Sequence, residues 1–368
     1  MATINYSEFY SPKVQERLKM KSQSELFCNH NYNWDGHDTI HIYTLQTAPL
    51  NDYNYAGQGN RYGVPVDIKD SIQSEKIKYD KSFSFVIENG DAASQAIQKS
   101  ASKQLLAQVD YKIKPFIEKE RFEAMAKLPG GVYIPATDLT AANVFETFLK
   151  GRAAVTNAKG SASGRLCAMT PEMVNLLLLG SNQTGGMILH ASKSEEEIEK
   201  GVIGTLGGIK IVEVAAEYLP ENVVMLFGHP DALCSAEQLK NYKINDNPQG
   251  YDGTLCEGHL IGGSFVLESQ CGYIFAVYST GTLAELPTLA YEEGTGVTIT
   301  CADDVYYTID GSDPRISTTK IQGKTIDTSN WTAANGETLI RAYGSGTGKI
   351  NSVVAEITIP VALAPVRE

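Results

Sequence analysis

Residues 47–79 constrain the fold more than any other part of the chain. They are rich in Asn, Asp, Gly, Tyr and Lys, and Pro49 and Pro65 interrupt them. On both sides the pattern changes to strict alternation. Ile40, Ile42 and Thr44 alternate with Thr39, His41 and Tyr43, and Phe83, Phe85 and Ile87 alternate with Ser82, Ser84 and Val86. A period of two marks a half-buried strand. Structureless loops longer than about 15 residues are uncommon inside compact domains and are usually functional. A long two-stranded arm that leaves the body reconciles these facts. Its residues Leu50, Tyr53, Tyr55, Val64, Val66 and Ile68 would have no local core, so another chain would have to cover them.

After the second strand comes a helical stripe. Ile97, Ala101, Leu105, Val109, Ile113 and Phe116 recur at helical spacing. Asp91 is placed to cap the start, and Pro129-Gly130 ends the run. A helix from 91 to 127 would be about 55 Å long at about 1.5 Å per residue. Pro115 lies inside it, lacks a backbone donor and predicts a kink. The apolar face predicts packing against a sheet of the same subunit, with Val109 near its middle.

Residues 131–280 read as an α/β unit. Helices are predicted near 142–149, from Pro171 to Leu179 (capped by Thr170 and stopped at Gly180), and over 231–240. Strands are predicted at 165–169, 209–214, 223–227, 260–268 and 272–279. From about 288 to 360 the chain shows only period-2 segments. Val297–Thr300, Val305–Ile309, Thr338–Ala342 and Val353–Ile359 predict a small β-sandwich, with a turn at Asp310-Gly311. Near the N-terminus, Ser11-Pro12 predicts the start of a short helix.

Composition narrows the function. With 368 residues, 42% hydrophobic and 20% charged, the chain is globular rather than disordered. Its net charge of −12 opposes generic binding to nucleic acid, which needs clustered Lys and Arg. No apolar run approaches the roughly 20 residues of a membrane span, and no secretory signal is expected at the N-terminus. The six cysteines are scattered without a CxxC pair and read as buried free thiols.

Candidate chemistry is sparse. Cys28, His30, His37 and His41 are the densest metal-like cluster. On an extended strand, however, four residues cover about 13 Å, too far for two histidines to share a zinc ion bound at about 2 Å. Gly346-Thr347-Gly348-Lys349 is followed by Ile350 and lacks the first glycine of a phosphate loop. Gly160-Ser161-Ala162-Ser163-Gly164 has Ala where a nucleophile elbow has Ser, and reads as a loop. No catalytic residue, cofactor site or metal site is expected. In the C-terminal segment, Trp331 and Tyr343 are candidates for stacking against surface glycans, the alternative being that such aromatics fill the sandwich core.

The order of arm, bracketed extended loop, long helix with an internal proline and α/β unit resembles the major capsid proteins of tailed bacteriophages, the Hong Kong 97-type fold. Asn33-Trp34-Asp35-Gly36 leading into Thr39–Tyr43 resembles the entrance to the extended loop, and Asp80–Phe85 resembles its return strand. Lys114-Pro115-Phe116-Ile117 sits where the spine helix of that family often carries a proline. Cys167–Glu172 resembles the strand-to-helix step of the axial domain, and Gly204–Ile209 with Val212 a turn and strand there. A second resemblance, carried by Val305–Pro314, Ile340–Tyr343 and Ser352–Val354, is to the immunoglobulin-like module at the C-terminus of chitobiase-type enzymes.

These resemblances imply an α+β, Hong Kong 97-type capsid domain over 1–285. Within it, 1–37 would be the N-terminal arm, 38–88 the extended-loop hairpin, 89–130 the spine helix, and 131–285 the axial domain with returning peripheral-domain strands. An immunoglobulin-like surface domain would occupy 288–362. They imply a structural protein rather than an enzyme. It would assemble in the host bacterial cytoplasm into hexamers and pentamers of an icosahedral virion shell and enclose double-stranded DNA without reading its sequence. A separate scaffolding protein and a portal are the expected partners, with host-surface or mucosal glycans as possible ligands of the C-terminal domain and no membrane. Two other classes fit less well. They are an encapsulin-like compartment and a polysaccharide-active protein, which would need paired acids in a cleft.

Overall fold

The computed structural model describes residues 22–32, 39–44, 50, 52–55, 61–62, 71–88, 101–159, 161–183, 198, 200–246, 249–250, 252–292, 296–328, 331–332, 338–359 and 362–363. The expected helix start at Ser11-Pro12, the Asp91 cap, Ile97, and the arm residues Val64, Val66 and Ile68 lie outside them.

The first described strands are β1 (Cys28–Asn29), β2 (Thr39–Thr44), β3 (Ser71–Lys76) and β4 (Tyr79–Glu88). β2 pairs antiparallel with β3, in register from Thr39 opposite Lys76 to Thr44 opposite Ser71. This corrects the sequence reading in one respect. The segment opposite β2 is 71–76, not 80–88, and β4 belongs to another sheet.

The spine is continuous from 101 to 127. Helix α1 (Ala101–Gln108) runs into a π turn (Val109–Ile113) and then α2 (Lys114–Lys127). The π turn is how the chain accommodates Pro115. A proline ring collides with the carbonyl four residues back and offers no N–H. Here the Lys114 N–H bonds to the Val109 carbonyl instead, five residues back, and the wider turn makes room. The apolar face is only half-buried through Leu105, Val109, Ile113 and Phe116, and full burial begins at Glu118, Arg121, Phe122 and Met125.

Two sheets flank the spine. The first has the order β1-β10-β11-β4, where β10 is Leu233–Asp246 and β11 is Gly253–Val266. The helix expected over 231–240 is therefore a strand. Its helix-forming residues yield to pairing with β11 along nearly its whole length and to a parallel start against β1. Alternation then divides its side chains. Ser235 and Glu237 reach Arg121 of the spine, whereas Cys234 and Ala236 pack with Ile42 of the hairpin and Phe265.

The second sheet has the order β5-β12-β9-β6-β8-β7. Its strands are β5 (Gly131–Tyr133), β6 (Leu166–Met169), β7 (Val202–Leu206), β8 (Ile209–Glu213), β9 (Val223–Gly228) and β12 (Phe275–Tyr278). Cys167, Met169, Met225, Phe227 and Val277 face helices α3 (Val144–Asn157) and α4 (Pro171–Gln183), building one core with Phe148 and Leu177. Leu166, Ala168, Leu226 and Ala276 face the other way, onto Phe27, Phe122 and Met125. Helix α4 continues past Gly180. Glycine serves close packing there, because a Cβ at 180 would sit 2.2 Å from the Ala141 carbonyl oxygen.

The C-terminal part is strand-only in the described residues. Sheet β13-β14-β17 (Thr288–Glu292, Gly296–Thr300, Thr325–Ile326) faces sheet β16-β15-β19-β20 (Ile321–Gln322, Asp304–Thr308, Thr338–Ser345, Ala355–Ile359). Val297, Ile299, Val305, Tyr307, Ile340, Ala342 and Ile359 fill the space between them. Trp331 lies in a short pair, β18 (Trp331–Thr332) with β21 (Ala362–Leu363). All six cysteines are free thiols, and five of them are buried.

Candidate functional site

Three places combine chemistry with position: the hairpin tip, the anchor of the N-terminal segment, and the seat of the C-terminal domain.

At the hairpin tip, Tyr53 stands edge-on to Tyr55 and Tyr62, with ring centroids 4.9 and 5.1 Å away. The Asn54 N–H closes the turn on the Arg61 carbonyl at 3.0 Å. The aromatic cluster has little cover within its own chain, with Leu50 102%, Tyr55 86%, Tyr62 82% and Tyr53 39% exposed. Tyr62 was not singled out by sequence reasoning, and its only signal was membership of an aromatic-rich polar stretch.

The N-terminal anchor centres on Arg121, which is buried. Its Nη1 lies 2.6 Å from Glu25 and donates to Ser24 Oγ at 3.1 Å. Its Nε donates to Ser235 Oγ and to Glu237, each at 3.0 Å. One turn earlier, Glu118 accepts the Ser24 N–H at 2.9 Å. Segment 22–30, the spine and β10 are thus joined by a network of polar groups. Burial alone would raise the Glu25 carboxyl. The His30 hydrogen bond and the Arg121 charge outweigh it and hold that group below its usual range.

This network also engages Cys28 and His30, the described members of the metal-like cluster. With Glu25 they bring ligand atoms within 4.8 Å of one another. Each is already engaged, however. His30 uses both ring nitrogens, toward Ser235 O at 2.6 Å and Glu25 at 2.8 Å. Glu25 is neutralised by Arg121, and burial pushes the Cys28 thiol up to about 12. Metal binding needs a thiolate and a free imidazole. His41 lies apart, bonded across the hairpin to Ser74 Oγ at 2.8 Å, and His37 is outside the described residues.

Other sequence candidates find structural roles. Lys349 of the phosphate-loop look-alike pairs with Asp303 at 2.6 Å, and Gly348 turns the chain with φ 72°. The Ser163 carbonyl is held by His229 at 2.8 Å, so the serine run is an ordered turn. Tyr343 is a correction. It is 5% exposed and stacks on Tyr306 with centroids 5.6 Å apart, so it presents no open face to a sugar.

The C-terminal domain is seated by a buried ion pair. Arg315 grips Asp313 through Nε at 3.0 Å and Nη2 at 2.6 Å, and its Nη1 donates to the Pro129 carbonyl at 2.6 Å. Sequence reasoning missed this pair, because Asp313-Pro314-Arg315 reads as an ordinary turn.

No protein-family model matches the sequence, and no curated protein matches it. Solved structures do. A chain of Mycobacterium phage Che8 superposes with a TM-score of 0.57 at 18% identity, over 75% of this chain and 98% of that one. The capsid of cyanophage P-SCSP1u gives 0.57 at 13% identity, over 75% and 93%. The fold is that of phage capsid chains. The mature capsid of bacteriophage PhiM1 agrees, with a TM-score of 0.55 at 14% identity over 74% of this chain and 91% of that one. Among the described residues no helix is long and apolar enough to cross a membrane.

Proposed function

We propose that this chain is the major capsid protein of a tailed bacteriophage, built on the Hong Kong 97-type plan. In this reading the six-stranded sheet with α3 and α4 is the axial domain. The four-stranded sheet is the peripheral domain, and β2–β3 is the base of the extended loop. Subunits assemble as hexamers and pentamers of an icosahedral shell that encloses double-stranded DNA, with a scaffolding protein and a portal as partners. The observation that carries the reading is the near-complete correspondence with capsid chains, since 91% and 93% of the two named capsids' chains are matched. The exposed aromatic tip supports it, because large apolar surface left uncovered marks an interaction site.

The neighbours leave about a quarter of this chain unmatched. That share fits residues 288–362, an immunoglobulin-like domain placed on the outer face of the shell. With Tyr343 buried, Trp331 is the aromatic residue left as a candidate for glycan contact. Electron micrographs of the purified full-length protein test the main reading. Capsomers or closed shells are expected, and a monodisperse monomer under all assembly conditions would contradict it.

A further inference from the structure

We infer that the C-terminal domain works as a clamp inside its own subunit, holding the base of the β2–β3 hairpin and the end of the spine helix together through a junction of three carboxylates, and that this grip loosens as the pH rises. The inference goes beyond the capsid reading and holds for the subunit whether or not it assembles.

The junction is a continuous chain of hydrogen bonds. From the C-terminal domain, Arg315 Nη1 donates to the carbonyl of Pro129, two residues past the end of α2. The Asp313 N–H donates to Glu268 Oε2 at 3.2 Å. Glu268 lies in the 3-10 turn Glu268–Tyr273, and its own N–H donates to Gln73 Oε1 at 2.9 Å. Gln73 Nε2 then donates to the Val266 carbonyl at 2.8 Å and to Glu75 at 3.0 Å. Gln73, Glu75, Asp313 and Arg315 are buried, so these bonds carry weight that surface bonds do not.

A second contact fixes the domain's orientation. Ile350, just after a turn of that domain, bridges to Leu283 and packs against the main core. Its N–H bonds to the Thr282 carbonyl, and its carbonyl accepts the Ala284 N–H, both at 2.8 Å. The connection between body and domain is therefore bonded rather than a free tether. A domain held at two separate points transmits its position to both elements it touches.

The charges at the junction do not balance locally. Glu268 faces Glu75 from the hairpin and Asp313 and Arg341 from the C-terminal domain. Arg315 is spent on Asp313 and borders Cys271 of the same 3-10 turn. Arg341 pairs with Glu356 at 2.9 Å. Burial is the largest influence on the Glu268 carboxyl; the Asp313 N–H and the Arg341 charge pull it down, the charges of Asp313 and Glu75 push it up, and burial prevails, leaving it at about 7. A carboxyl raised in the docked state favours docking while it is protonated. That advantage is present below the ordinary value near 4.5 and is lost as the pH rises through about 7.

The test is hydrogen exchange on the full-length protein at pH 5 and pH 8, with rates corrected for intrinsic chemistry. Amides of 71–76 and 311–316 are expected to lose protection together at pH 8, by about 10-fold or more. Glu268→Gln keeps the shape without the charge and should hold both segments protected at both pH values. Arg315→Ala should release both at either pH. A hairpin segment 71–76 that keeps its wild-type protection while 311–316 opens in Arg315→Ala would overturn the clamp. A wild type whose protection is the same at both pH values would overturn the pH dependence.

Discussion

Arg121 on the spine helix and Glu25 in the N-terminal segment form an ion pair at 2.6 Å, although 96 residues separate them in the chain. The pair fixes where the N-terminal segment crosses the spine, and Glu237 of β10 completes the clasp at 3.0 Å. Removing the guanidinium would strand Glu237 in a mostly buried site. Arg121→Ala should therefore destabilise the subunit by about 3 kcal/mol in urea unfolding. Arg121→Lys should recover only part of this, because one ammonium cannot replace a planar fork.

His30 makes the same clasp sensitive to pH. Burial would lower its pKa, but the bonds to Glu25 and the Ser235 carbonyl raise it above the usual value of 6.5. A raised histidine adds stability that is complete below 6.5 and fades as the pH climbs through the folded-state value. The pair is largely exposed, so the effect should stay under about 1 kcal/mol. Unfolding midpoints measured from pH 5 to pH 9 should show this fall in wild type, and His30→Gln should remove it.

The spine offers a contrast between two positions. Phe122 is fully buried, edge-on to Phe27 at 5.7 Å. Phe122→Ala should cost about 3–5 kcal/mol. Val109 lies in the π turn and is only half-buried. Val109→Asp should cost about 1 kcal/mol, well short of a buried, unpaired carboxylate. Equal losses at the two positions in thermal unfolding would mean that the first half of the spine packs more tightly than the structure shows.

Much of this architecture was legible because its buried faces are apolar. Phe83, Phe85 and Ile87 reveal β4, and Pro171 after Thr170 reveals the start of α4. β3 was not legible, for a physical reason. Its inward positions are Gln73 and Glu75, polar side chains buried by hydrogen bonding, so Ser71–Lys76 shows no hydrophobic alternation. β10 was misread for the opposite reason. Ala232, Leu233 and Ala236 suit a helix, and only long-range pairing with β11 makes them a strand. The Arg121 clasp and the Asp313–Arg315 seat depend on partners about 100 or more residues away, a distance no local pattern records.

The capsid reading places the hairpin tip on a neighbouring subunit. Deleting 45–70 and joining β2 to β3 by a short turn should leave a folded, soluble subunit, because Ile42, Gln73 and Glu75 keep their partners. Shell formation should be lost. Tyr55→Ser with Tyr62→Ser should weaken it, as read from the fraction sedimenting as particles. Normal particles from the deletion variant would mean that the tip is not a subunit contact.

The most direct measurement is a cryo-electron microscopy reconstruction of particles formed by the full-length protein. The expected result is an icosahedral shell of hexamers and pentamers in which Leu50, Tyr53, Tyr55 and Tyr62 of each subunit lie buried against the next. A closed shell with those four side chains in solvent, or no shell under any assembly condition, would contradict it.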